Sequence, residues 1–329
     1  VRYDGANWLR YAPEDGLLDA PIRNMAQTDD GSLWFLAGEF ENLAGVSRYH
    51  NGTWSRYTAE EIGLDDVSVS GILQAKDGSF WLAGAKDGSS AASRYDGQTW
   101  RVYTDKDGLV GKHLRRVVQA DNGDLWFAAV RRNAPGRSTQ EGDGIIRYDG
   151  ERWTSYTTED GLSHNRIYSL LAAPDGTIWV GTRIGLSWFD GTSWNSYTHE
   201  DGLPAEKPVH LQMIDGELWF TYASGGTGSG GVTRYDGKTW RTYTTQDGLT
   251  GNFGFDLYHT TDGALWHATR SGVSRFDGTT WKSYTVENGL PDNFIRRIWQ
   301  SQDGRIWFRT NDGEAGSFSP DHMGPETTL

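Results

Sequence analysis

Apolar residues along this chain come in short runs cut by polar turns rich in Asp-Gly, which is the pattern of short β-segments. One stretch shows the unit in full. Arg166 to Ala172 predicts a first strand, Pro174-Asp175-Gly176 a turn, Thr177 to Gly181 a second strand and Gly185 to Phe189 a third. Asp190-Gly191 predicts a hairpin turn, because Gly accepts positive φ and Asp bonds its own backbone. Ser193 to Thr198 predicts a fourth strand, and Glu200-Asp201-Gly202-Leu203 leads into the next unit.

The unit recurs along the whole chain. A Trp in the second strand returns at Trp34, Trp81, Trp126, Trp179, Trp219, Trp266 and Trp307. A Trp opening the fourth strand returns at Trp8, Trp54, Trp100, Trp153, Trp194, Trp240 and Trp281. A period of about 40 to 50 residues made of short strands predicts propeller blades. The expected fold is all-β, a seven-bladed β-propeller of four-stranded antiparallel blades. Asn7-Trp8-Leu9-Arg10-Tyr11 fits only a fourth strand, so it is expected to complete the last blade, begun by Asn293 to Phe318, and to abolish the open edge. Gly316 to Phe318 is favoured over Val1 to Asp4 as the third strand of that blade. Residues 1–318 then form one domain, and 319–329 form a flexible tail outside the repeat.

The stretch Asp160 to Gly191, DGLSHNRIYSLLAAPDGTIWVGTRIGLSWFDG, resembles the two-component regulator propeller repeat almost throughout. Asn288 to Phe308, NGLPDNFIRRIWQSQDGRIWF, is similar, with Asn288 standing for the first Asp. The resemblance runs over essentially the whole chain. It implies the extracytoplasmic part of a sensor, extracellular or periplasmic, of the kind associated with oligosaccharides from polysaccharide breakdown. The family's sensors carry two such propellers in tandem, whereas the repeats here amount to one. Ser301 to Trp307 also resembles the structural Asp-box hairpin of sialidases.

Composition narrows the classes. A net charge of -13 argues against nucleic-acid binding, which needs a basic footprint. No run of about 20 apolar residues is present to span a membrane. Cysteine is absent, so no disulfide or thiol chemistry arises. The chain opens at Val1 within a repeat, as a processed product would. Of the 16 Trp, the two sets of seven above belong to the repeat; Trp188 and Trp299 remain, and core filling is expected for both.

Positions that vary between copies are the informative ones. Apolar residues hold at Ile22, Leu114, Ile167 and Ile295, and again at Met25, Val117, Leu170, Leu257 and Ile298. Between them the pair changes: Arg23-Asn24, Ser70-Gly71, Arg115-Arg116, Tyr168-Ser169, Val209-His210, Phe255-Asp256 and Arg296-Arg297. First strands line a propeller's channel, so these pairs are expected on its wall. Lys112, His113, Arg166, Lys207, Phe253 and Phe294 stand just upstream, and Arg131, Arg132, Arg183, Arg270 and Arg309 end or follow second strands. The expected ligand site on this top face is Arg23, Arg115, Arg116, Arg166, Tyr168, Arg183, His210, Arg270, Arg296 and Arg297. Arg presents a planar fork suited to carboxylate or sulfate, and interleaved aromatics suit a sugar ring. The alternative for these Arg is pairing with connector acids such as Glu159-Asp160 and Asp247. Insertions at Gly38 to Ala44, Ala85 to Ala92, Arg131 to Gly144 and Ala223 to Gly231 are expected on the same face.

No linear catalytic motif occurs, and the Asp-Gly turns lack the spaced ligands of a calcium loop, so no catalytic residue, metal or cofactor is assigned. The expected function is non-catalytic recognition of an oligosaccharide or a protein partner. A carbohydrate lyase is the first alternative, with His113 or His210 as base, Tyr168 as acid and Arg116 or Arg297 as the stabilising cation. A structural subunit of a larger assembly is the second.

Overall fold

The computed structural model describes the chain except residues 1, 4–7, 10–11, 40–41, 65–68, 70, 112, 130–141, 224–229, 301–303, 312–314 and 319–329. The chain divides into two compact units, residues 1–160 with 165–167, and residues 161–164 with 168–329.

The first unit holds three four-stranded antiparallel sheets, each ordered as the chain runs. The first comprises Ile22–Gln27, Leu33–Glu39, Asn42–His50 and Thr53–Thr58. The second comprises Gly71–Gln74, Phe80–Lys86, Ser89–Tyr95 and Trp100–Tyr103. The third comprises Leu114–Gln119, Leu125–Ala129, Gly144–Tyr148 and Trp153–Tyr156. Apolar faces of adjacent sheets close on each other: the Trp34 ring stacks on Phe80 at 4.2 Å. Ile22 and Met25 remain 43% and 60% exposed.

The second unit continues the scheme. Its sheets are Ile167–Ala172, Ile178–Thr182, Gly185–Phe189 and Trp194–Thr198; then Pro208–Ile214, Glu217–Tyr222, Val232–Tyr235 and Trp240–Tyr243; then Asp256–His259, Leu265–Ala268, Val273–Phe276 and Trp281–Tyr284. The last has three strands, Ile295–Gln300, Ile306–Thr310 and Ala315–Phe318, so the C-terminal segment takes third place as expected. Trp219 and Tyr243 stack at 6.0 Å and 3° within one of this unit's cores.

Trp8–Leu9 pairs with Arg2–Tyr3 as a two-stranded hairpin, and closure of the last blade by this strand is not shown among the described residues.

The turns explain the repeat's acids. Asp190 accepts hydrogen bonds from the N–H groups of Thr192 and Ser193, both at 2.8 Å. The connector after the first sheet, Ala59–Ile62, is one turn of α-helix, and the later ones are short 3₁₀ turns. In Thr244 to Gly248, Asp247 accepts from the Thr244 N–H at 2.8 Å and Gly248 ends the turn at φ +103°. The third-strand Arg is also structural. Arg48, Arg94, Arg147 and Arg275 pair with Asp30, Asp77, Asp124 and Asp262 at 2.7–2.9 Å, each lying over the second-strand Trp. Trp188 takes that Arg's place and stacks on Trp179 at 5.4 Å. Trp299 does not fill the core: it is 38% exposed and stacked on Trp307.

Candidate functional site

Four of the seven varying pairs sit on strand irregularities. Ladder register shifts between Ile22 and Asn24, Leu114 and Arg116, Val209 and Gln212, and Ile295 and Arg297. A regular strand sends consecutive side chains to opposite faces, whereas a bulge re-aims them. Both Arg115 and Arg116 are exposed, and so are both Arg296 and Arg297.

Four of the expected site residues belong to the first unit. Arg23 is exposed and donates from Nε to the Gly38 carbonyl at 3.0 Å. Arg115 and Arg116 lie on the bulged strand of the third sheet, and Arg166 is half-buried. His113, a candidate base, is 1% exposed and so enclosed within the fold. Of the expected insertions, residues 38–44 extend the first sheet's ladder through Gly38–Leu43 and Glu39–Asn42 pairing, and 85–92 extend the second through Ala85–Ser90 and Lys86–Ser89. Residues 131–141 and 224–229, with Arg131 and Arg132, lie outside the described residues, as does Lys112.

The second unit brings several of the others together. Phe255 and Phe294 pack with ring centroids 4.9 Å apart. Two guanidinium groups lie over this pair: Arg296 at 4.9 and 4.6 Å from the two centroids, and Arg270 at 5.7 and 5.4 Å. Such contacts orient a cation and favour its charge. Arg296 donates from Nε and Nη2 to the Asn311 side-chain oxygen at 3.0 and 2.8 Å, which fixes one edge of its fork. Among the described residues neither Arg270 nor Arg296 makes an ion pair, and the connector acid Asp247 is bound to its own turn. Beside Arg270 lies a cavity of about 210 Å³ lined by residues 251–255 and 269–271.

Behind this face is a buried polar cluster. Asp256, 7% exposed, accepts from the Ile298 N–H at 2.9 Å, across to the next sheet. Its other oxygen faces His210 Nδ1 at 3.4 Å and Arg297 Nη1 at 4.0 Å. His210 holds φ +52° at the strand irregularity. His267 is fully buried with Nε2 2.9 Å from the Thr221 hydroxyl, and burial, aided by His210, lowers its pKa to about 3. Arg297 and Arg309 stand opposite each other in the ladder, gathering positive charge. Tyr168 is half-buried on the strand whose Ser169 bonds the Pro208 carbonyl at 2.8 Å, and Arg183 is half-buried in the turn after Thr182. Among the described residues no cluster of three His, Cys, Asp or Glu could hold a metal ion. Among the described residues no helix is long and apolar enough to cross a membrane.

Asp256 was visible in the sequence only as an exception among the arginines, and Asn311 and His267 were missed. His267 did leave a signal: the same position carries Phe35, Leu82, Phe127, Val180, Phe220 and Phe308 in the other copies.

The model of the two-component regulator propeller family matches residues 161–183. Among solved structures, the chain is similar to the extracellular domain of the hybrid two-component system BT3049 of B. thetaiotaomicron, at 16% identity and a TM-score of 0.65 over 94% of this chain. It is similar to PorZ, a surface component of the type-IX secretion system of Porphyromonas gingivalis, at 16% identity and a TM-score of 0.59 over 96% of this chain. It spans 40% and 42% of those two chains. YCF48 bound to a D1 peptide matches at 17% identity and a TM-score of 0.56, over 91% of this chain and 93% of that one. No curated protein matches. The fold is thus an all-β propeller with six four-stranded sheets and a three-stranded one.

Proposed function

We propose that this chain, a propeller carrying the two-component regulator repeat, is a non-catalytic recognition module working outside the cytoplasm, and that it binds an acidic oligosaccharide at the arginine–phenylalanine face of its second unit. The observation that carries this reading is the pair Arg270 and Arg296, laid over Phe255 and Phe294 beside the cavity, with no carboxylate partner among the described residues. A guanidinium held against aromatic rings has little freedom left to lose when it meets an oxyanion. Its fork matches a carboxylate in one plane. The half-buried rings of Phe255 and Phe294 beside it offer apolar contact to the C–H face of a sugar. The sensor context of BT3049 agrees with an extracytoplasmic setting.

A thermal-shift panel tests the reading: galacturonate oligomers, sulfated disaccharides, neutral oligosaccharides and an acidic peptide, the last because YCF48 holds a peptide. Acidic sugars should raise the melting temperature of the wild type and not of Arg270→Ala. A shift as large with neutral sugars would remove the anionic part of the reading, and a response to the peptide alone would move the assignment to a protein partner. Release of an unsaturated, ultraviolet-absorbing product would instead make this a lyase, with Asp256 orienting His210 as the base.

A further inference from the structure

Asp256 links two strands that build the recognition face. It follows Phe255 directly, and its carboxylate accepts the Ile298 N–H, two residues after Arg296. The second carboxylate oxygen accepts from its neighbour Leu257 at 3.1 Å and faces two further donors. His210 Nδ1 stands at 3.4 Å and Arg297 Nη1 at 4.0 Å. At 4.0 Å the arginine is drawn by charge and is not hydrogen-bonded. The Arg297 side chain is 63% exposed, beside Arg296 in sequence and opposite Arg309 in the ladder, and among the described residues Asp256 is the carboxylate it faces. Asp256 from the sixth sheet's first strand faces His210, His267 from its second strand interacts electrostatically with His210, and Arg297 from the last sheet faces the same Asp256 oxygen. Tyr168 stands at the matching register on the preceding first strand.

Histidine is the side chain whose charge ordinarily changes between pH 5 and 8. His267 cannot serve, since burial holds it neutral until about pH 3. His210 is partly open to solvent and is fixed in a left-handed conformation that a non-glycine residue keeps only under surrounding constraint. We propose that His210, Asp256 and Arg297 form a proton-linked gate on the recognition face: protonated His210 takes Asp256 as its counter-ion and releases Arg297 toward an anionic ligand. With His210 neutral, Asp256 holds Arg297 back. Affinity for an anion is therefore highest in acid and falls as pH rises through the titration of His210. By reciprocity, a bound anion makes His210 hold its proton more tightly. The inference rests on the recognition reading for its ligand, while its charge coupling exists in the free protein.

Two measurements test it. The first needs no ligand: the His210 ring resonance is followed against pH by NMR and assigned by its loss in His210→Asn, a residue that tolerates positive φ. The Asp256→Asn change should move the midpoint to lower pH, and Arg297→Gln should move it to higher pH. A midpoint unmoved by both, or no titration between pH 5 and 8, overturns the gate. Arg297 is exposed, so its variant leaves folding intact even where that of Asp256 does not. The second measurement is binding of a galacturonate trimer from pH 5.5 to 8 at fixed ionic strength. Wild type should bind about fivefold tighter at the acid end, the low end of typical coupling, and His210→Asn should show no such slope. An equal slope in the variant overturns the gate. Absence of binding at every pH, with the midpoints moving as stated, contradicts the recognition reading and supports the coupling.

Discussion

His267 breaks the apolar pattern of the repeat with a titratable side chain. Six sister positions are apolar, and His267 is buried as deeply as they are. Burial, first, and the nearby His210 charge lower its pKa to about 3, and Asp256 opposes this only in part. An unfolded chain takes up the proton near pH 6.5, so stability is fully present above that value and is lost as pH falls toward 3. The loss should reach roughly 4 kcal/mol at the acid end. Urea unfolding at several pH values checks this: His267→Leu should flatten the acid slope, and an unchanged slope would show that His267 is not its source. The Thr221 hydroxyl keeps a partner in that variant, because it also donates to the Gly231 carbonyl at 3.0 Å. A reading confined to first strands passed over His267. The repeated third-strand Arg was plain in the sequence, but its use was not: it covers a Trp and binds a turn Asp, so it takes no part in the recognition face.

Strands and turns were the most legible level. Predicted boundaries in the fourth sheet fall within one residue of the observed ones. The bulges were legible too, though unread. Apolar residues recur three apart, as at Leu114 and Val117 or Ile295 and Ile298, where a regular strand repeats every two. The extra residue is the one the ladder cannot pair, and it leaves two adjacent arginines exposed. Connectors depend on their glycine. A Cβ at Gly248, whose φ is +103°, would stand 2.7 Å from the Trp281 carbonyl. Gly248→Ala should cost about 1 to 3 kcal/mol in chemical unfolding, through the left-handed conformation together with the close approach. Gly237, also at positive φ but with open space around it, should cost less. Equal losses would show that the close approach contributes nothing.

At the scale of the molecule, the repeats declared a propeller, whereas the convergence of side chains had to come from the structure. Six of the ten expected site residues fall in the second unit, where Arg270 and Arg296 share one aromatic pair. The net charge of -13 opposes an anionic ligand at a distance, yet charges more than about 8 Å apart are screened at physiological salt. On the proposed reading, contact with the arginines therefore decides the affinity. Binding of an acidic oligosaccharide should weaken several-fold between about 0.15 and 0.5 M salt, as the Debye length shrinks. A neutral sugar should be indifferent to the same change, and an acidic one that is equally indifferent would mean the arginines do not carry the binding. The most direct test is titration calorimetry of a galacturonate trimer into wild type and into Arg270→Gln/Arg296→Gln. Each charged hydrogen bond lost costs about 1.5 to 3 kcal/mol, so the double variant should bind at least about tenfold more weakly with its melting temperature unchanged. Equal affinity in the two proteins would contradict the assignment of this face as the recognition site.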